Sequence, residues 1–328
     1  MPVRSTRPVQ AAAPTRRAPA KVPPARAGAA KAPAEVDRAE SAESQPADTQ
    51  RWRLLVAYDG RGFRGFAAQP GAATVAGALS GALTRVTRAS EALVITCAGR
   101  TDAGVHAAGQ VVHVDLPAPL PTIRRGGTTR TMAGADLIAA VNRQLAPAVV
   151  VRAAEPAPDG FDARRSATAR RYRYLVWNAP APDPLLAGVA WHVEHPLDLR
   201  AMAAATDALV GEHDFGAFCR RPPGSAAGSP IVRRVTRAGW TLVPVADEFE
   251  PWPRGADRPP GRLLRFEIEA GSFCHQMVRS IVALLVEVGR GEGNVASTVA
   301  RLRSADRAGA PRPAPPEGLC LVAVAYGP

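Results

Sequence analysis

From Arg51 onward, hydrophobic positions recur with two spacings, the period of two of a strand and the longer period of a helix. "RWRLLVAYDG" (Arg51 to Gly60) predicts a strand that ends at a turn shaped by Asp59 and Gly60. Val75, Leu79, Leu83 and Val86 then fall at i, i+4, i+8 and i+11, the spacing of one helical face. "LVITCAG" and "GQVVHVDL" predict two strands flanking a loop, and Leu137, Ile138, Val141 and Leu145 place a second helix over "ADLIAAVNRQL". "AVVVRAAE" adds a strand and closes a first half near Pro158.

The second half follows the same recipe. In "ARRYRYLVWN", Tyr172, Tyr174 and Val176 share one face of a strand, and Arg171, Arg173 and Leu175 the other. A helix from Leu199 to Val210, strands over Val232 to Val243 and Arg262 to Glu269, and an apolar helix from Met277 to Val288 come next. A short helix from Val295 to Arg303 and the strand "LCLVAVAY" complete it. Two Pro/Gly-rich insertions, Arg220 to Pro230 and Glu250 to Gly261, read as surface loops. The predicted fold is α+β, with two units, 51–158 and 159–328, each an antiparallel sheet carrying helices on one face. A cleft between them is the natural place for a site.

Residues 1–50 break the pattern. They are rich in Ala, Pro and Arg and nearly free of large apolar side chains, which predicts a disordered tail. Its prolines forbid the amphipathic helix of a transit peptide. No run reaches the ~18 apolar residues of a membrane span, so an intracellular, cytoplasmic protein without membrane attachment is expected.

Of the chain's 41 Lys+Arg and 29 Asp+Glu, the tail holds 8 and 5, leaving the body a net charge of +9. That excess favours a polyanionic partner, because phosphate contacts dominate nucleic-acid affinity. Both lysines, Lys21 and Lys31, lie in the tail. Schiff-base chemistry, a Walker-type phosphate lysine and a lysine general base are thereby excluded from the body, whose working cations are arginines. The four cysteines (Cys97, Cys219, Cys274 and Cys320) are widely spaced, without a C-x-x-C and without a histidine cluster beside them. Buried thiols in a reducing compartment fit this pattern better than a metal site or a disulfide framework.

The loop in "CAGRTDAGVHAAGQVVHVDL" places Arg100 and Asp102 between two strands. "GRTDAG" has the outer spacing of a phosphate loop but lacks its Lys-Ser/Thr and runs into a strand. "GRGEGN" at Gly289 follows a helix, where a dinucleotide fingerprint follows a strand, and reads as a helix C-terminal cap with a turn. These residues by themselves define a basic α+β protein with an Arg-Thr-Asp loop of open purpose.

Residues 53–327 resemble the tRNA pseudouridine synthase A family nearly end to end. The resemblance lies in "YDGRGFRGFAAQP", "AGRTDAGVHAAGQVVHV", "FDARRSATARRYRY", "FCHQMVRSIVALLVEVG" and "PPEGLCLVAV", which occur in family order. It implies isomerisation of uridine to pseudouridine at positions 38 to 40 of the tRNA anticodon arm. It also implies two ferredoxin-like halves sharing a sheet, and a homodimer that needs no cofactor and no metal.

Carried over by resemblance, Asp102 is the catalytic carboxylate. The uracil must leave C1′, rotate and rejoin through C5, and an aspartate can attack C1′, attack uracil C6 or abstract a proton. The sequence leaves these routes open. Arg100 would hold the flipped nucleotide or its phosphate, and extruding that nucleotide costs a few kcal/mol of unstacking. Tyr172 matches the tyrosine on which the base stacks, an interaction worth roughly 1–3 kcal/mol. Periodicity alone does not separate it from Tyr174. Arg279 of "HQMVR" matches the basic partner of the aspartate. On this helix Met277, Ile281, Leu284 and Leu285 form an apolar stripe, and a buried arginine there would require such a partner. Leu319 of "EGL" matches an apolar residue that packs against the base, or else belongs to the ordinary core. His106 and His113 read as structural. Gly65-Phe66 replaces a common Gly-Trp, and Cys274 stands where Leu or Val is common. A tRNA-binding protein without catalysis is the rival reading. In either case affinity should fall steeply with salt.

Overall fold

The computed structural model describes residues 49–221, 229–244, 261–304, 306–307 and 311–327. Nearly all of the tail expected to be disordered and most of both Pro/Gly-rich insertions lie outside the described residues.

Strand β1 (Thr49–Tyr58) buries Trp52, Leu54 and Val56 and leaves Arg51, Arg53 and Leu55 half-exposed, as its period of two requires. Helix α1 (Val75–Thr87) starts where the Thr74 hydroxyl accepts the Gly77 N–H at 3.2 Å. It ends at Arg88, in the left-handed conformation with φ 55°. Its Val75, Leu79 and Leu83 are fully buried, with Val86 packed beside them. A two-residue strand β2 (Thr96–Cys97) and the long β3 (His106–Pro117) flank the Arg100–Asp102 loop. A hairpin of β4 (Thr122–Arg125) and β5 (Thr128–Thr131) stands apart from the main sheet. Helix α2 (Gly134–Leu145), with Leu137 and Val141 inward, and β6 (Val149–Pro156) follow.

The chain continues through β7 (Ala167–Asn178), β8 (Trp191–Val193), α3 (Leu199–Asp207) and β9 (Gly211–Asp214). It then forms β10 (Val232–Val243), β11 (Arg262–Ala270), α4 (Met277–Gly289), α5 (Val295–Ser304) and β12 (Leu319–Tyr326). In β7 the burial alternates as the sequence predicts, with Tyr172, Tyr174 and Val176 inward. Helix α4 carries more than an apolar stripe. Eleven of its 13 residues are buried, which makes it a core helix and leaves Arg279 and Glu287 as its partly exposed members.

The strands form one large, mostly antiparallel sheet in the order β6-β1-β3-β12-β7-β11-β10-β9, with β2 added on β3 and β8 on β7. Strand β12, the last in sequence, lies between β3 and β7. It runs parallel to β3 through Cys320↔His106 and Leu321↔Ala107, and antiparallel to β7 from Leu319↔Tyr174 to Tyr326↔Ala167. No described helix is long and apolar enough to cross a membrane.

Several expectations change. "LVITCAG" contributes only Thr96–Cys97 as strand, because only these two residues find a partner, His113 and Val112 of β3. The β4–β5 hairpin, β8 and β9 were not expected, and the helix expected over Leu199 to Val210 stops at Asp207. The cysteines are not all free: Cys219 and Cys274 form a disulfide with a Cα–Cα separation of 5.6 Å, while Cys97 and Cys320 are buried thiols. The pairing arises because the turn Gly216–Phe218 after β9 packs against the segment leading into α4, where the Arg220 N–H also donates to the His275 carbonyl at 2.9 Å. Burial pushes the Cys97 thiol up to about 11. Protein denatured without reductant is therefore expected to titrate two thiols, and four after reduction. Closing a 55-residue loop is worth about 4 kcal/mol in the chain-entropy picture, so reductant should lower the melting temperature.

His106 and His113 sit in the sheet as acceptors. Nδ1 of His113 takes the Ala163 N–H at 2.9 Å, and Nδ1 of His106 takes the Gly60 N–H at 3.3 Å. Burial pulls both imidazoles below their usual value of 6.5. Their contribution is whole above pH 6.5. As pH falls below it, the unfolded chain takes up protons that the folded chain resists, and stability declines. Thermal melts should show a lower midpoint at pH 5 than at pH 7. His113→Gln should shrink that difference.

Candidate active site

The loop between β2 and β3 is fixed from below before its side chains come into play. The Tyr58 hydroxyl and Thr101 Oγ1 share a hydrogen bond of 2.8 Å, and Gln110 Nε2 donates to the Gly99 carbonyl at 2.7 Å. The Phe66 N–H donates to the Thr101 carbonyl at 3.1 Å, and the Val105 N–H closes the turn on the Asp102 carbonyl at 3.1 Å. Gly65 makes this approach possible: its φ is 97°, and a Cβ there would lie 2.9 Å from the Thr101 oxygen. Burial raises the Tyr58 phenol far above its usual value, so it stays a neutral hydrogen-bonding group.

On this base stands Asp102, with its side chain 20 % exposed. Its Oδ2 accepts a hydrogen bond from Arg279 Nη1 at 3.0 Å. Arg279 is 14 % exposed and is itself held by Nε donating to the Ala314 carbonyl at 2.7 Å. The helix thus supplies one charged side chain from an apolar surface, and that side chain meets the loop carboxylate 177 residues away in sequence. Asp102 Oδ1 lies 3.2 Å from His275 Nε2, a contact that sequence reasoning missed. His275 precedes Gln276, whose left-handed backbone (φ 67°) opens α4, so no helical spacing links His275 to Arg279 in the sequence.

Tyr172 is 7 % exposed, and its ring meets that of Phe273 edge to face with centroids 5.1 Å apart. Burial raises its phenol well above the usual value, and the nearby Asp102 charge adds to this. Leu319 is 6 % exposed at the start of β12, paired with Tyr174, whose hydroxyl donates to the Pro315 carbonyl at 2.7 Å. Arg100 is exposed and makes no hydrogen bond or ion pair with another described residue. The structure therefore brings Asp102, Arg279 and Tyr172 together, keeps Leu319 in the adjoining core and leaves Arg100 facing solvent. Among the described residues no group of three or more His, Cys, Asp or Glu side chains is placed to hold a metal ion.

A carboxylate paired with a guanidinium thus lies near a neutral buried phenol and two residues from an exposed arginine, a set of groups able to attack, move a proton or hold a negatively charged group. Comparison with known proteins narrows the class. Residues 205–327 match the family model described as tRNA pseudouridine synthase. Three relatives carry the name tRNA pseudouridine synthase A. One from Frankia casuarinae is 43% identical over 281 residues, 85% of this chain and 90% of the relative. One from Bifidobacterium animalis subsp. lactis is 39% identical over 84% of this chain and 93% of its own length. One from Caulobacter vibrioides is 39% identical over 84% and 99%. The chain belongs to the tRNA pseudouridine synthase A family.

Proposed function

We propose that this chain isomerises uridine to pseudouridine in the tRNA anticodon stem-loop, at positions 38 to 40, with Asp102 as its catalytic carboxylate. The observation that carries the reading is the Asp102–Arg279 pair at 3.0 Å, formed between the β2–β3 loop and the buried helix α4. The reaction breaks the N1–C1′ bond, turns the uracil and forms a C5–C1′ bond; the hydrogen on C5 leaves as a proton and N1, which keeps the electron pair of the broken bond, takes up a proton. Whichever atom the aspartate engages, it must act at a fixed place with its carboxylate free of water, and the guanidinium fixes one of its two oxygens. Tyr172 supplies the wall against which the base lies, with Leu319 behind it. Arg100, exposed at the loop, handles the nucleotide as it leaves its stack.

In this reading the sheet divides into two ferredoxin-like halves, 51–158 and 159–328, with the cleft between them. Arginines of the body contact the tRNA phosphates, no metal or cofactor takes part, and a homodimer acts in the cytoplasm. The test is release of tritium from tRNA transcripts labelled at uridine C5, followed by mapping of the modified position. Release that depends on uridine at positions 38 to 40 and on Asp102 supports the reading. Binding without release, across several such tRNAs, makes the chain a tRNA-binding protein and refutes catalysis.

A further inference from the structure

We infer that Arg170 is a positioning residue for the reaction, whose guanidinium sets the place where Asp102 and Arg279 meet. The inference rests on the reading of Asp102 as the catalytic carboxylate. Arg170 lies on β7 two residues before Tyr172 and on the same face, and is 8 % exposed where Arg171 and Arg173 on the other face are less buried. All five of its N–H groups are used. Nε and Nη2 donate to the Ala98 carbonyl at 3.2 and 2.8 Å, and Nη2 also donates to the Arg164 carbonyl at 2.7 Å. Nη1 donates to the carbonyls of Ala167 at 3.0 Å and Gly271 at 2.5 Å.

Every acceptor is a backbone carbonyl, and no described carboxylate pairs with this cation. Burying an arginine without a counter-charge is costly, and burial here lowers its pKa. An apolar side chain would fill the space at less cost. The guanidinium does something such a side chain could not, and the four carbonyls show what that is. Ala98 is the last residue before the loop that presents Arg100 and Asp102. Gly271 opens the segment that carries Phe273 and His275 and leads into α4 with Arg279. Arg164 and Ala167 bracket the entry into β7, which carries Tyr172. One planar group thus ties together the three segments from which the centre is built.

Lysine keeps the charge and most of the length but has three N–H groups and no fork, so it cannot hold the Ala98 and Gly271 carbonyls in one plane. In Arg170→Lys the C5-tritium release assay is expected to give a kcat lower by about 10²-fold, the effect of small misplacement at a reacting centre. KM for tRNA should stay within about threefold, because phosphate contacts are untouched. Amide exchange should quicken over residues 98–104 and 271–276 while β1 and β6 stay protected. A folded Arg170→Lys protein with wild-type kcat overturns the proposal, as does a loss that appears in KM alone. Arg170→Gln, which keeps two N–H donors, is measured beside it. If neither variant folds, Arg170 is a core residue only, and the proposal falls. Asp102→Asn is assayed in parallel. Wild-type release by that variant removes Asp102 as the centre and the proposal with it. Loss there with unchanged kcat in folded Arg170→Lys sinks the proposal alone.

Discussion

Asp102→Asn is expected to release C5 tritium from tRNA at less than about one part in 10⁴ of the wild-type rate, the scale seen when a central catalytic group is removed. Asparagine has the same shape and still offers one oxygen to Arg279 Nη1, so the loop should keep its place. Its support from Tyr58, Gln110 and Phe66 reaches Thr101 and Gly99 and does not involve the carboxylate. The variant should stay folded, melting below the wild type because the Arg279 charge loses its counter-charge, and should bind tRNA with unchanged affinity and salt dependence. Loss of release with binding intact identifies a reaction centre. Equal release by both proteins would move the chemistry elsewhere, and loss of both release and binding would point to a misfolded loop.

Arg279→Met should lower kcat by about 10²–10³, the range observed when one electrostatic partner of a reacting group is removed. The same change should also lower stability. Arg279 and Asp102 are both largely shielded from water, and removing one member of such a pair leaves the other charge uncompensated, at roughly 3–5 kcal/mol for a fully buried pair and less here. Arg279→Lys should fall between wild type and Met. A single ammonium cannot reach both the Asp102 carboxylate and the Ala314 carbonyl, which Arg279 now holds through two different nitrogens. Equal kcat in wild type and the Met variant, with only the melting temperature reduced, would make this ion pair purely structural.

The parts of this molecule legible in the sequence are those with a period or a charge conflict. Strand β7 shows its faces by strict alternation, and α1 and α2 by helical spacing. Arg279 stands out as the one basic side chain within an apolar helix, a conflict that demands a partner, and the structure places Asp102 against it. What stayed hidden lacks such a signal. The β4–β5 hairpin carries Thr and Arg with almost no apolar alternation, and β5 is exposed throughout. The Cys219–Cys274 bridge spans 55 residues, and spacing alone does not choose a partner over that distance. Arg170 is hidden for a different reason: its acceptors are carbonyls, which every residue possesses, so its sequence neighbourhood says nothing of what it holds. His275 is reached only through the left-handed turn at Gln276, a backbone choice that sequence spacing does not reveal.

The position of β12 bears on how the protein is made. A ribosome delivers β3 and β7 long before the strand that separates them, so the growing chain carries two exposed strand edges waiting for residues 319–326. Such edges are open to pairing with the wrong strand or with another chain, and shielding them falls to whatever chaperones meet the nascent protein. Asp102 and Tyr172 are synthesised early, yet the sheet that sets their spacing closes only with the final strand. Translation that stops short of Leu319 would yield a chain that holds Asp102, Tyr172 and Arg279 without the strand that joins β3 to β7.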